Sequence, residues 1–107
     1  MLNGDLWRVF LVSRDDPRLV DRTGGRKLAT TDQGTRLVCI SEDVGPDLLQ
    51  NVLIHEACHC AMVSYGLLPN LHAIVAREDA IGIEEWVCQF VANYGQQIIS
   101  AADNVRR

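Results

Sequence analysis

The chain has 107 residues, a formal net charge of −4, an apolar fraction of 48% and a charged fraction of 22%, which is ordinary for one globular domain over residues 1–107. Residues 1–45 carry seven acids and seven bases, whereas residues 46–107 carry seven acids and three bases. This distribution argues against nucleic-acid binding, which requires a basic face, and no apolar run is long enough to span a membrane.

The N-terminal part of the chain predicts a small sheet. "LWRVFLVS" (6–13) and "TRLVCIS" (35–41) are rich in β-branched and aromatic residues and predict strands. "KLATT" (27–31) predicts a weaker strand between them, and the Gly24-Gly25 pair marks a connection. We therefore expect a twisted sheet of about three strands, antiparallel or mixed.

A helix is predicted from about Pro46 to Tyr65, where the hydrophobic pattern changes period. Pro46 suits the first helical turn, and Asp47 is favourable at the positive end of the helix. Gly66 suits the left-handed position just past the helix end. The fold class is therefore α+β, with the sheet packed on this helix and on a second, C-terminal helix.

The C-terminal helix is predicted to follow Gly82, after a partly helical connection. Its apolar stripe would consist of residues at helical spacing, namely Ile83, Val87, Phe90, Val91, Tyr94 and Ile98.

The first predicted helix carries the pattern His55-Glu56-Ala57-Cys58-His59. Residues advance about 100° along an α-helix, so His55 and His59 lie about 40° apart on one face and can converge on one ion. Glu56 lies beside that face, where it can reach a metal-bound water more easily than the metal. The HExxH pattern therefore predicts two zinc ligands and a general base.

A catalytic zinc site needs a third protein ligand and an open position for water. "IEEWV" offers Glu84 and Glu85. With Val87 at the centre of the apolar stripe, Glu84 lies about 60° from the centre and Glu85 about 160° from it. We therefore expect Glu84 to face inward as the ligand and Glu85 to face water.

The four cysteines, Cys39, Cys58, Cys60 and Cys88, form no CxxC pair. We expect them to be reduced, small hydrophobic residues. Cys58 could also approach the metal, although three ligands from one helical turn do not easily close a tetrahedron.

The sequence resembles the zincin metallopeptidases of the short, glutamate-ligand (gluzincin) type over residues 35–98. It is similar to small prophage-encoded peptidases and to the catalytic domain of the ImmA/IrrE family. The resemblance rests on the HExxH element and on "EEWVCQFV" (84–91) in the last helix, which aligns Glu84 with the ligand position. Cys88 departs from the family pattern, which has a polar residue one turn past the ligand.

The resemblance implies a zinc-dependent metallopeptidase, a hydrolase that acts on peptide or protein substrates. Zinc (Zn²⁺) would be held by His55, His59 and Glu84, and Glu56 would be the catalytic base for a zinc-bound water. An edge strand, expected to be "TRLVCIS", would line the cleft and pair with the substrate. Candidates for stabilising the oxyanion are Tyr65, His72 and Tyr94.

Two other interpretations stay open. The domain could be a zincin-like binding module that docks a protein partner without hydrolysis, or a structural helix–sheet protein without a metal. The N-terminus "MLNGDLWRVFLV" lacks a basic, cleavable leader, so a cytoplasmic location is expected. The sequence leaves the oligomeric state open.

Overall fold

The computed structural model describes residues 1–21 and 24–106 and has the predicted α+β architecture. Three strands and three helices follow one another along the chain: β1 (Arg8–Val12), β2 (Ala29–Asp32), β3 (Leu37–Ser41), α1 (Pro46–Ser64), α2 (Leu68–His72) and α3 (Ala80–Arg106). Short 3-10 turns lie at Pro17–Leu19 and Arg77–Asp79. The predicted three-stranded sheet and the two main helices are confirmed.

The sheet is mixed, with strand order β1-β3-β2. β1 runs parallel to β3, and β2 runs antiparallel to it. β3 is therefore the central strand, and the expectation that "TRLVCIS" forms the edge beside the site is wrong. The edge strand that contacts α1 is β2. The short turn after Asp32 places β2 along one side of β3, and β1 lies along the other side.

Helix α1 forms where its local signals place it. Pro46 and Asp47 occupy the first turn, Tyr65 caps the end, and Gly66 follows with φ of +66°. Its buried face packs on the β3 side chains Val38 and Ile40 through residues that include Cys60. The helix is thereby fixed across one face of the sheet, mainly over β3 and β2.

On the opposite sheet face, Leu19 of the 3-10 turn packs against Val12 and Cys39. In the edge strand β1, Val12 is buried but the three residues before it are not. Val9, Phe10 and Leu11 expose 53%, 46% and 64% of their surface. An apolar edge of the sheet thus faces solvent.

Helix α3 begins at Ala80 and runs straight through Gly82, so Gly82 does not mark a helix end. Its most buried side chain is Cys88, with no exposed surface, whereas Phe90, Tyr94 and Ile98 of the predicted apolar stripe are exposed. The buried face is therefore centred about one residue later than predicted. Within residues 1–21 and 24–106, no helix combines the length and apolar character needed to cross a membrane.

Candidate metal centre

His55, His59 and Glu85 bring three ligand atoms to one point between α1 and α3. The Nε2 atoms of the two histidines lie 3.2 Å apart. The Glu85 carboxylate reaches both, with Oε2 at 3.0 Å from His55 Nε2 and Oε1 at 2.9 Å from His59 Nε2. This group could hold a metal ion.

The spacing of these atoms fits a small tetrahedral ion. Around a zinc ion with bonds of about 2.0–2.1 Å, neighbouring ligand atoms are separated by roughly 3.3 Å. The two Nε2 atoms are 3.2 Å apart, close to that value, and each lies 2.9–3.0 Å from a different oxygen of Glu85. Two imidazole nitrogens and one carboxylate form a donor set that suits zinc better than magnesium or calcium, which prefer oxygen ligands alone. Glu85 is 55% exposed in its side chain, so the group opens to solvent on one side.

Glu85, rather than the predicted Glu84, is the carboxylate that faces the two Nε2 atoms. The difference follows from the centre of the buried face of α3. Moving the centre of the buried face from Val87 to Cys88 corresponds to a rotation of the helix by about 100°. Glu84 then lies about 40° to one side of the centre and Glu85 about 60° to the other, so both reach α1.

Glu84 is hydrogen-bonded to His59 on the Nδ1 side of the ring. The Nδ1–H of His59 donates to Glu84 Oε2 at 2.6 Å. This bond fixes the ring orientation and directs Nε2 toward the ligand group, as carboxylate partners do for metal-binding histidines. Glu84 thus contacts the Nδ1 side of His59 rather than the two Nε2 atoms.

His55 is oriented by an amide network. Its Nδ1–H donates to Gln89 Oε1 at 3.0 Å. The Gln89 amide nitrogen in turn donates to the side-chain oxygens of Asn51 and Asn93, at 3.1 and 2.8 Å. Asn51 also donates to Asn93 across the two helices, at 2.9 Å. Both histidines therefore have a partner at Nδ1 and present Nε2 to the same point.

The electrostatics of the group favour a positive charge at its centre. Burial lowers the pKa of His59, but the hydrogen bond with Glu84 and the negative charges of Glu85 and Glu56 raise it more, so the net pKa lies above its ordinary value. A proton on His59 competes with a metal ion for the same nitrogen, so metal binding weakens on acidification.

Glu56 lies beside the ligand group, where the helical geometry places it. Its side chain is buried, and its Oε2 is 3.8 Å from His55 Nε2. The hydroxyl of Thr31 on β2 donates to the other oxygen, Oε1, at 2.9 Å. A carboxylate anchored by one oxygen leaves the other free to take a proton at the centre.

The remaining candidates lie elsewhere. The Cys58 thiol is hydrogen-bonded to Cys88, which lowers the pKa of Cys58, and it is not part of the ligand group. His72 Nε2 lies 3.8 Å from Glu84 Oε1, on the Nδ1 side of His59. Tyr65 and Tyr94 are both about half exposed, and neither belongs to the ligand group found among the described residues.

Gln89, Asn51, Asn93 and Thr31 support the site and were not singled out from the sequence. A signal exists for the first three: Asn51 precedes His55 by one helical turn, and Gln89 and Asn93 follow Glu85 at intervals of four, so each group forms a polar row on one helix face. The family pattern has a polar residue one helical turn past its carboxylate ligand. With Glu85 in the ligand position, that polar residue is Gln89. Thr31 carries no comparable signal, because its contact depends on strand pairing.

Replacing Gln89 by leucine should lower zinc affinity by about 10- to 100-fold, the range typical of losing an outer partner of a ligating histidine. Leucine preserves side-chain size but leaves the Nδ1–H of His55 without its acceptor. The measurement is zinc competition against a chromogenic chelator, with Gln96→Leu, an exposed glutamine on the same helix, as the control. Equal zinc affinities for the two variants would show that Gln89 does not support the site.

Comparisons with protein-family models, curated proteins and solved structures found no match. The chemistry of the ligand group therefore rests on its own geometry. The distances between its ligand atoms, the two oriented histidines and the buried carboxylate beside them are the observations that bear on its chemistry.

Proposed function

We propose that the protein is a zinc-dependent metallopeptidase that uses His55, His59 and Glu85 as ligands. The observation that carries the proposal is the convergence of the two Nε2 atoms, 3.2 Å apart, with the Glu85 carboxylate, whose two oxygens lie 3.0 Å from His55 Nε2 and 2.9 Å from His59 Nε2. The buried Glu56 carboxylate lies beside them. Three protein ligands with an open side are typical of catalytic rather than structural zinc sites. The resemblance of the HExxH stretch to zincin peptidases supports the same activity.

The chemistry divides among the residues by position. A bound zinc ion would supply a Lewis acid that polarises the scissile carbonyl and makes water more acidic. Glu56 accepts the proton from the attacking water at Oε2 and delivers it to the leaving nitrogen. Thr31 holds the other oxygen of Glu56 in place, and Glu84 and Gln89 keep the imidazole rings from rotating.

Strand β2 is the part of the sheet best placed to bind an extended peptide. It is an edge strand, it contacts α1, and its Thr31 touches Glu56. A peptide added to the outer side of β2 by backbone hydrogen bonds would pass close to the general base. This takes over the role that the sequence had suggested for β3.

A zinc-holding module that docks a partner without hydrolysis is the second candidate. One observation favours it: among the described residues, none of the predicted oxyanion partners Tyr65, His72 and Tyr94 belongs to the group of His55, His59 and Glu85. Stabilisation of the oxyanion is commonly a large part of acyl-transfer catalysis. Such a module would hold zinc as tightly as the enzyme does.

Metal content and hydrolysis together test the proposal. Protein purified without chelator should contain one zinc per chain by elemental analysis, and it should cleave members of a mixed peptide library. Removal of zinc with a chelator should abolish cleavage, and added zinc should restore it. Zinc without cleavage would favour the docking module, and a folded chain with no affinity for zinc would refute both.

A further inference from the structure

The outer edge of β1 has unpaired backbone groups between apolar side chains. On its inner side, Arg8 N–H donates to Arg36 O, and Glu42 N–H donates to Val12 O. Alternate residues of a strand direct these groups to opposite edges, so those of Val9 and Leu11 face outward. No described residue outside β1 pairs with them through the backbone.

Both faces of this edge are apolar. Val9 and Leu11 pair in register with Val38 and Ile40, so they lie on the face that α1 packs against, yet α1 does not cover them. Phe10 pairs with Cys39 and lies on the other face, also half exposed. Sheet proteins usually protect such an edge with charges, proline or a bulge. In β1 the single charge is Arg8 at its first position, and Val9–Val12 contains no charge or proline.

The accessible surface of the whole chain is large enough to include such a contact. The chain exposes 7536 Å², whereas a closed monomer of 11.9 kDa exposes roughly 6,000 Å². The excess is roughly 1,500 Å² per chain. Each partner in a protein interface of standard size buries about 800 Å², so the excess is large enough for a stable dimer contact.

We propose that a second copy of this chain covers β1 by antiparallel β1–β1 pairing about a twofold axis at Phe10. In this register Val9 of each copy lies opposite Leu11 of the other. The outward N–H and C=O groups of both residues then pair, which uses every free backbone group of Val9 and Leu11. The two sheets join into one six-stranded sheet with an α1 helix from each copy on the same face.

The contact is self-complementary, which favours a second copy over an unrelated partner. Parity along the strand requires like faces to meet, and the register centred on Phe10 places Val9 opposite Leu11 on one face and Phe10 opposite Phe10 on the other, with Arg8 opposite Val12 at the two ends of the pairing. The dimer does not depend on the ligand group, because β1 contributes no residue to that group.

Sedimentation equilibrium of the full chain tests the proposal from about 1 to about 100 µM protein. Wild type should approach twice 11.9 kDa, and Leu11→Lys should raise the dissociation constant by about 10- to 100-fold, because each dimer then contains two charges against apolar partners. Ile74→Lys makes the same change at a residue that is 76% exposed outside the sheet, and it should dimerise like wild type.

Residue-resolved hydrogen exchange keeps the test valid even if a variant folds poorly. In wild type, the amides of Val9 and Leu11 should be protected at high concentration and lose protection on dilution, whereas the amide of Phe10 stays protected. A monomer throughout the range, including one that binds a peptide at β1, would overturn the proposal. A dimer that survives Leu11→Lys, or that Ile74→Lys also disrupts, would do the same.

Discussion

Replacing Glu85 by alanine should weaken zinc binding by more than about 100-fold, beyond the loss expected for an outer partner of a ligand. Glu85 is the only carboxylate in the described ligand group and contacts both Nε2 atoms. Its removal leaves two histidines, one ligand fewer than a catalytic zinc site normally has. Competition with a chromogenic chelator measures the change, and circular dichroism confirms that the exposed substitution leaves the fold intact.

Glu84→Ala is the matched control, since the neighbouring carboxylate is removed from the same helix turn. We expect a smaller loss of about 10- to 100-fold, because His59 keeps Nε2 but loses the acceptor that orients its ring. Zinc affinity should thus follow the order wild type, Glu84→Ala, Glu85→Ala. The reverse order of the two variants would identify Glu84 as the ligand, as the sequence had suggested.

Glu56→Gln should reduce peptide hydrolysis by about 10²- to 10⁴-fold, the range typical of losing a positioned general base. Glutamine has nearly the same shape, and its carbonyl oxygen can still accept the Thr31 hydroxyl, but its amide cannot accept a proton. Zinc content and thermal stability should stay close to wild type. Steady-state hydrolysis of a peptide identified from the library, together with elemental analysis, measures both quantities.

Thr31 provides an independent check on this role. Thr31→Val removes the hydroxyl that holds Glu56 Oε1 and should lower hydrolysis less than Glu56→Gln does, while Thr31→Ser should retain activity. Because neither change touches a ligand, zinc affinity should stay constant across the set. Unchanged hydrolysis in Glu56→Gln would remove the proposed mechanism, whatever the Thr31 variants show.

The position of α1 and of the histidine pair was predictable because their signals are local. Pro46, Asp47 and Gly66 mark the helix ends within a few residues, and the predicted end differs from the observed one by a single residue. The spacing of His55 and His59 depends only on helical geometry. The directions of these side chains therefore follow from the sequence alone.

The partner carboxylate was not predictable in the same way. Glu84 and Glu85 differ by one residue, so the choice depends on knowing which side of α3 is buried. Large apolar residues suggested a stripe through Val87, but the small Cys88 packs at the closest approach, and Phe90 and Tyr94 remain exposed. Strand order posed the same problem: the central position of β3 depends on pairing between distant segments rather than on the composition of any one of them.

The hydrogen bonds between α1 and α3 have a consequence for how the proposed metal would bind. His59 with Glu84, His55 with Gln89, and Asn51 with Asn93 join the helices through side chains of the chain itself. Folding of the chain therefore offsets the entropic cost of bringing these distant segments together. Zinc fingers differ, because they are unfolded without metal. A zinc ion held at this site would therefore be an exchangeable ligand, and its loss would leave the protein folded.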